Sequence, residues 1–309
     1  MNRRTFLGAA GAAAGSAFAQ APAFPIIDCH IHLFDPTRPQ GVPWPEKSSE
    51  IYRPTLPDRF RRLAEPLGVR GAIEIECSPW LEDNQWVLDT IAKDRIMLGT
   101  VGNLEPGTPD FARQLERFHR NPLFRGIRYG NLWGRSLAAE LPKPEFVAGL
   151  RLLAEAGLVL DTANPDPALI ETMVRVTDRV PSLRVVIDHL PQCNPPASGP
   201  ARAAYEGHLR ELAARPQVYV KLSQVLRRVN GSVPRDLAFY RPRLDELYGL
   251  FGEDRVLYGS DWPNSDPYAP YDAVLSLVRE YFQGKGSVAA EKYFSRNARA
   301  AYRWAERNA

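Results

Sequence analysis

Eight short apolar runs recur along the chain, at residues 26–32, 71–77, 97–104, 124–130, 158–163, 184–190, 218–223 and 256–261. Each is followed by a segment whose apolar residues fall three to four positions apart, as in PDRFRRLAEPLG, DNQWVLDTIAKD, PEFVAGLRLLAEAG, PALIETMVRVTDRV, ARAAYEGHLRELAA and RPRLDELYGLFG. Several of these segments begin at Pro or Asp and end at Gly, the usual punctuation of helices. Strands that alternate with helices pair in parallel through right-handed crossovers, so the fold class is α/β. Eight units over about 285 residues predict a (β/α)8 TIM barrel in a single domain. A doubly wound sheet is the competing architecture, but no glycine-rich phosphate turn follows the first run. With 44% hydrophobic residues the chain can bury one large core, and no Gly/Ser-rich linker divides it.

The first 19 residues stand outside this pattern. Arg3 and Arg4 precede Phe6 and Leu7, and a weakly apolar Ala/Gly run ends in Ala17-Phe18-Ala19, which fits a twin-arginine (Tat-type) signal peptide over residues 1–19. The mature chain then spans residues 20–309 and works in the periplasm. A membrane span needs roughly 20 strongly apolar residues, more than this run supplies. Cys29, Cys77 and Cys193 are odd in number and lack CxxC spacing, which predicts buried free thiols. The net charge of +3 comes from 39 basic and 36 acidic residues scattered along the chain, so composition argues against a nucleic-acid partner and leaves a small-molecule substrate.

In such a barrel the chemistry lies at the C-terminal ends of the strands. The stretch PIIDCHIHLFDP places His30 and His32 two apart at the first of these ends. Side chains alternate along a strand, so both imidazoles point the same way, with Asp28 expected behind them on that face. Strand four carries Arg128, strand five ends at Asp161, and strand six at Asp188 and His189. Strand seven supplies Lys221 and Ser223, and strand eight ends at Asp261. Structural alternatives exist: Asp188 and Ser223 as helix caps, Arg128 and Lys221 as barrel charges paired with Asp161 and Asp28. Three of only five histidines fall at strand ends, which favours chemistry for His30, His32 and His189 together with Asp261.

HIH on the first strand, VVIDHL on the sixth, VYVKLS on the seventh and RVLYGSDWP on the eighth together resemble the metal-dependent hydrolase superfamily. Within it they are similar to the amidohydrolase-related (amidohydrolase 2) branch that contains sugar and dicarboxylate lactonases. The resemblance runs from Pro25 to the C-terminal NARAAYRW. It implies that His30, His32 and Asp261 hold or face a divalent metal such as Zn or Mn. It further implies that Asp261 is the general base on an attacking water and that His189 helps polarise the carbonyl. LVLDTAN on strand five lacks the histidine that many superfamily members use as a further ligand, and strand four has no lysine for a bridging carbamate. One metal is then the most to expect, with Asp161 as a substitute oxygen ligand, or none at all.

The reaction implied is hydrolysis of a cyclic ester, either a sugar lactone or a dicarboxylate or muconolactone-type lactone. Arg128 is the candidate carboxylate clamp, and Lys221, Trp80, Tyr129 and Trp262 are further substrate-contact candidates, with Trp133, Arg227 and Arg228 beside them. The alternatives are a metal-dependent decarboxylase of the same superfamily and a periplasmic binding barrel without catalysis. No binding role requires His30, His32, His189 and Asp261 together, which argues against the second. Tyr293, Tyr302 and Trp304 are candidates to pack on the barrel or on a second copy in a homo-oligomer.

Overall fold

The computed structural model describes residues 24–305, so the expected leader over residues 1–19 lies outside the described residues. Eight strands, β1 (Ile26–Ile31), β2 (Val69–Ile75), β3 (Met97–Gly102), β4 (Phe124–Arg128), β5 (Val159–Asp161), β6 (Arg184–Ile187), β7 (Val218–Lys221) and β8 (Val256–Leu257), form one parallel sheet in sequence order. Backbone bonds close it into a barrel: Cys29 donates to Tyr258 O (3.1 Å), Asp261 to His30 O (2.8 Å) and His32 to Trp262 O (2.8 Å). The expected α/β barrel is the fold observed. Most strands end sooner than the apolar runs do, because their last residues leave the ladder and turn into the mouth of the barrel.

Helices α1 (Pro57–Ala64), α2 (Asp83–Ile91), α3 (Phe111–His119), α4 (Leu137–Glu140), α5 (Pro144–Glu155), α6 (Pro167–Arg179), α7 (Gly199–Ala213), α8 (Leu237–Phe251) and α9 (Tyr271–Gln283) connect or follow the strands. Their starts show why these residues form helices. Asp166 accepts from the Leu169 amide at the head of α6, and Pro167 occupies the first turn, where its missing N–H costs nothing. The spacing predicts that α8 starts at the Arg241-Pro242 pair. It instead starts at Leu237 under an Asp236 cap and runs through Pro242, which sits within its first two turns.

Two apolar layers hold the barrel. Ile26, Phe60, Leu88, Phe118, Leu150 and Leu247 pack between sheet and helices, and Ile27, Cys29, Ile73, Leu98, Val159 and Val186 fill the interior. The interior layer is closed by Ala298, Ala301 and Tyr302 of α11 (Asn297–Tyr302), which follows α10 (Ser287–Glu291), and by Trp304. The C-terminal aromatics therefore pack on their own barrel, with Tyr293 donating to Leu222 O and Tyr302 to Asp161.

One departure shapes the site. Between Asp28 and Ile31, β1 takes three steps against two on β2, a bulge that reverses the alternation of faces. Asp28 therefore points out to the helix layer, where it accepts from Tyr271 of α9 (2.9 Å) and the Ser260 amide (2.9 Å). His30 and His32 turn inward without it.

Candidate active site

The sixth and eighth strand ends meet the first across the barrel mouth. Three imidazole Nε2 atoms approach one oxygen, Oδ1 of Asp261: His32 at 3.1 Å, His189 at 3.5 Å and His30 at 3.6 Å. All four side chains are buried. Burial alone raises the Asp261 carboxyl, but His189, the His32 contact and His30 outweigh it and hold Asp261 below the usual carboxylate range. Burial likewise pushes His189 down to about 4, against the pull of Asp261, so its imidazole is neutral at pH 7. Burial and the Lys221 charge keep His30 neutral as well.

The other ring nitrogens are held from below. His32 Nδ1 lies 2.7 Å from Ile75 O, which only accepts, so Nδ1 carries the proton. In the neutral ring His32 Nε2 then offers a lone pair to an anionic oxygen 3.1 Å away. Two such groups facing each other have the chemistry of a cation site. His189 Nδ1 meets Ser223 Oγ at 2.8 Å, so Ser223 orients a histidine rather than capping a helix. Two groups have the makeup of a divalent-metal site, their ligand atoms within 4.8 Å of one another: His30, His32 and Asp261, and His30, Asp188 and His189.

Beneath lies a fully buried charge cluster. Lys221 Nζ is 2.7 Å from Asp161 Oδ2, 2.8 Å from Asp188 Oδ1 and 3.1 Å from His30 Nδ1. Although burial lowers it, pairing with Asp161 and Asp188 raises the Lys221 ammonium pKa. Burial drives Asp161 up to about 7 despite Lys221, while Asp188 is held well below its usual range because Lys221, His30 and Arg128 outweigh its burial. This arrangement corrects two expectations. Asp161 stands with Lys221 and Tyr302 rather than in either candidate metal group, and Lys221, fully buried, meets carboxylates rather than substrate.

Above the Asp261 ring opens a cavity of about 210 Å3. Arg128 lines it, as expected, with its Nε donating to Asp188 Oδ2 (3.2 Å) and to Thr162 O (3.1 Å). Trp133 lines it too, its indole N–H on Glu76 Oε2 (3.1 Å). Three expected contacts lie elsewhere. Trp262 is fully buried against Phe60, Tyr129 packs on Phe146, and Trp80 lines a neighbouring cavity. Arg227 and Arg228 donate to backbone carbonyls, Arg227 to Pro191 and Arg228 to Gly231 and Pro267.

Residues that the sequence reading missed are Asn164, Gln224 and Asn264, each one to three positions beyond a polar strand end, and Trp44 in the Pro-rich segment after β1. Proximity to strand ends was a signal for the first three. Trp44, whose ring meets His32 edge-on at 5.6 Å, had none beyond the length of its loop.

The backbone of this wall is strained in one consistent way. Trp133, Asn164, His189, Gln224 and Asp261, all cavity-lining, have left-handed φ of 58°, 47°, 47°, 48° and 62°. An L-residue there is disfavoured by roughly 1–2 kcal/mol, least for Asn, Asp and His. The turns that leave the strands are thus bent to aim side chains into one volume.

Comparison with known proteins agrees with this fold. An L-fucono-1,5-lactonase from Burkholderia ambifaria is 29% identical over 241 residues, 77% of this chain and 80% of the relative. An amidohydrolase from Burkholderia multivorans with bound zinc superposes with a TM-score of 0.77 at 23% identity, covering 91% of this chain and all of that one. A probable 2-pyrone-4,6-dicarboxylic acid hydrolase from Acinetobacter baumannii superposes with a TM-score of 0.72 at 18% identity, covering 90% of this chain and 99% of that one. Residues 27–304 match the amidohydrolase family (Amidohydro_2), and with that span, a parallel barrel and the His30, His32, His189 and Asp261 ring, the chain belongs to that family.

Proposed function

We propose that this hydrolase opens a lactone, with the anionic Asp261 ringed by three imidazoles at the cavity floor as the observation that carries the reading. Asp261 takes a proton from water as the water oxygen bonds to the lactone carbonyl carbon. His189, which lines the cavity, polarises the carbonyl oxygen as it becomes negative. Collapse of the tetrahedral intermediate breaks the ring C–O bond, and the departing alkoxide takes the proton that Asp261 held. His30, His32 and Asp261 would hold a divalent ion of the zinc or manganese kind, which would supply Lewis-acid polarisation of the carbonyl.

The walls favour a sugar lactone over a dicarboxylate. Among the described residues Arg128 is the one Lys or Arg lining the cavity, and Asp188 already engages it. Asn164, Gln224 and Asn264 are neutral groups suited to hydroxyls, and Trp44 and Trp133 offer flat apolar faces to a ring. The similarity to an L-fucono-1,5-lactonase supports the same choice. The test is a panel of sugar 1,5-lactones, muconolactone and pyrone dicarboxylate, followed by acid release. Turnover of sugar lactones is expected. Release of carbon dioxide from an aromatic acid without lactone turnover would move the protein to the decarboxylase reading.

The same proposal places the protein in the periplasm, exported through the leader at residues 1–19. The three cysteines are free and buried, which suits a protein folded before export, and no helix among the described residues is long and apolar enough to cross a membrane. Replacing Arg3 and Arg4 by Lys is expected to leave the chain in the cytoplasmic fraction with its leader uncleaved. Unchanged periplasmic recovery would refute the assignment.

A further inference from the structure

Glu76 is a buried carboxylate beside the active site, and catalysis as described above gives it no part. It directly follows β2, and its Oε2 accepts from two donors, the Ser78 amide at 3.0 Å and the Trp133 indole N–H at 3.1 Å. Its Oε1 lies 3.3 Å from the same indole nitrogen. Among the described residues that N–H has no other partner. Trp133 belongs to the loop after β4, so this contact ties the β4 side of the barrel mouth to the β2 side. Glu76 lines the neighbouring cavity, Trp133 lines the cavity above Asp261, and Trp44 and Cys77 face both. The bond therefore crosses the partition between the two cavities.

The loop is bent to make that contact. The Arg135 amide donates to Leu132 O (3.0 Å), closing a turn whose two central residues, Trp133 and Gly134, have φ of 58° and 74°. Two left-handed residues in succession suit Asn-Gly, and an indole gains nothing from that backbone. What the conformation delivers is the ring, set on the cavity wall with its N–H on a carboxylate. The rest of the loop is held independently: Asn131 and Asn164 each donate a side-chain N–H to the other's backbone carbonyl, and Arg135 pairs with Glu105 at 2.6 Å. Glu76 adds the placement of the ring.

We propose that Glu76 is a positioning residue that determines specificity: it fixes the Trp133 ring as a rigid wall of the cavity, against which a sugar lactone lies in one orientation. A wall set before the substrate arrives costs less to bind against. Holding one orientation also separates lactones that differ at a single hydroxyl. Glu76 touches neither the attacking water nor the carbonyl, so its removal loosens binding and choice without disabling the reaction. The contact from Arg128 Nη1, at 3.4 Å, goes to the Glu76 backbone carbonyl, so side-chain substitutions leave it in place. The specificity role rests on the lactonase reading; the hold of Glu76 on Trp133 does not.

The test begins with hydrogen exchange of the indole N–H groups in the intact protein carrying 15N-tryptophan, with Trp133→Phe used to assign the Trp133 signal. Protection of that N–H is expected in the parent and its loss in Glu76→Ala. Glu76→Gln is expected to retain it, because one amide oxygen can take both donors as Oε2 does. A Trp133 N–H that exchanges freely in the parent, or stays equally protected in Glu76→Ala, overturns the proposal. Kinetics on sugar 1,5-lactones that differ at one hydroxyl then read the specificity. Glu76→Ala and Trp133→Phe are each expected to raise KM for the best lactone about fivefold, the effect of losing one ordinary hydrogen bond, with kcat within about twofold. The ratio of kcat/KM between the best and the poorest lactone is expected to shrink, and the double variant to be no worse than either single one. Glu76→Gln is expected to restore the parental KM. Unchanged KM and selectivity in a folded Glu76→Ala protein, or a loss confined to kcat, overturns the specificity role. If Glu76→Ala does not fold, Trp133→Phe, which keeps an aromatic ring and removes the N–H, decides by the same kinetics. A protected indole in a protein that opens no lactone would overturn the proposed function together with the specificity role, and leave the hold of Glu76 on Trp133 standing.

Discussion

Glu74 shows how far a single buried group here departs from its behaviour in water. It faces the cavity beside the active site, accepts from Thr100 Oγ1, and is pushed up to about 8 by burial, only partly opposed by that hydrogen bond. An acid whose folded pKa lies above its unfolded value of 4.5 stabilises the fold fully below pH 4.5, and that contribution is lost as pH rises toward about 8. Glu74→Gln keeps the shape and removes the titration. The variant is expected to gain stability relative to the parent between pH 5.5 and pH 8, by on the order of a few kcal/mol at about 1.4 kcal/mol per pKa unit. Urea unfolding at the two pH values checks this; an identical difference at both would show that Glu74 ionises freely. At this scale the sequence was legible in part. His30, His32, His189 and Asp261 could be read because few histidines exist and three fall at strand ends. Lys221 and Asp161 could be named as polar strand-end groups, but the substrate contact expected of the one and the metal ligation expected of the other give way to their pairing with each other. Whether such a group meets substrate or its neighbours depends on its depth, and one residue along a strand is only about 3.3 Å.

The elements carry the next layer of design. The bulge in β1 turns Asp28 outward and both histidines inward, and no alternation rule predicts it, since the apolar pattern around it is unbroken. Trp262 and Tyr129 follow the same logic. Each sits one residue after a group at the cavity, so each points into the helix layer, against Phe60 and Phe146 respectively. The left-handed turns after β4 to β8 are likewise silent in composition, because Trp133 and Gln224 are not residues that favour that backbone. Gln224→Gly tests whether that conformation is held for the side chain's sake. Glycine accepts φ near 48° without strain, so the variant is expected to be within about 1 kcal/mol of the parent's stability or above it. Its KM for the lactone is expected to rise several-fold. A clear loss of stability with unchanged KM would mean that Gln224 supports the loop and not the ligand.

At the scale of the whole molecule, eight repeats of strand and helix announced the barrel, and the structure closes it through the β8 to β1 seam that also carries His30, His32 and Asp261. The fold's last element proves less legible. NARAAYRW has the spacing of a helix, but nothing in it says that Ala298, Ala301, Tyr302 and Trp304 seal the barrel interior, or that Tyr302 reaches the buried Asp161. One end of the barrel is thus filled by apolar packing, its middle by the Lys221 charge cluster, and the other end opens on the cavity above Asp261. The central claim is that this opening hydrolyses lactones through Asp261. Its most direct measurement is acid release from a sugar 1,5-lactone by the parent and by Asp261→Asn, with circular dichroism on both. The account predicts turnover by the parent and a loss of at least about a thousandfold in kcat in a variant that keeps the parental spectrum. A folded Asp261→Asn protein that opens the lactone at the parental rate would contradict it.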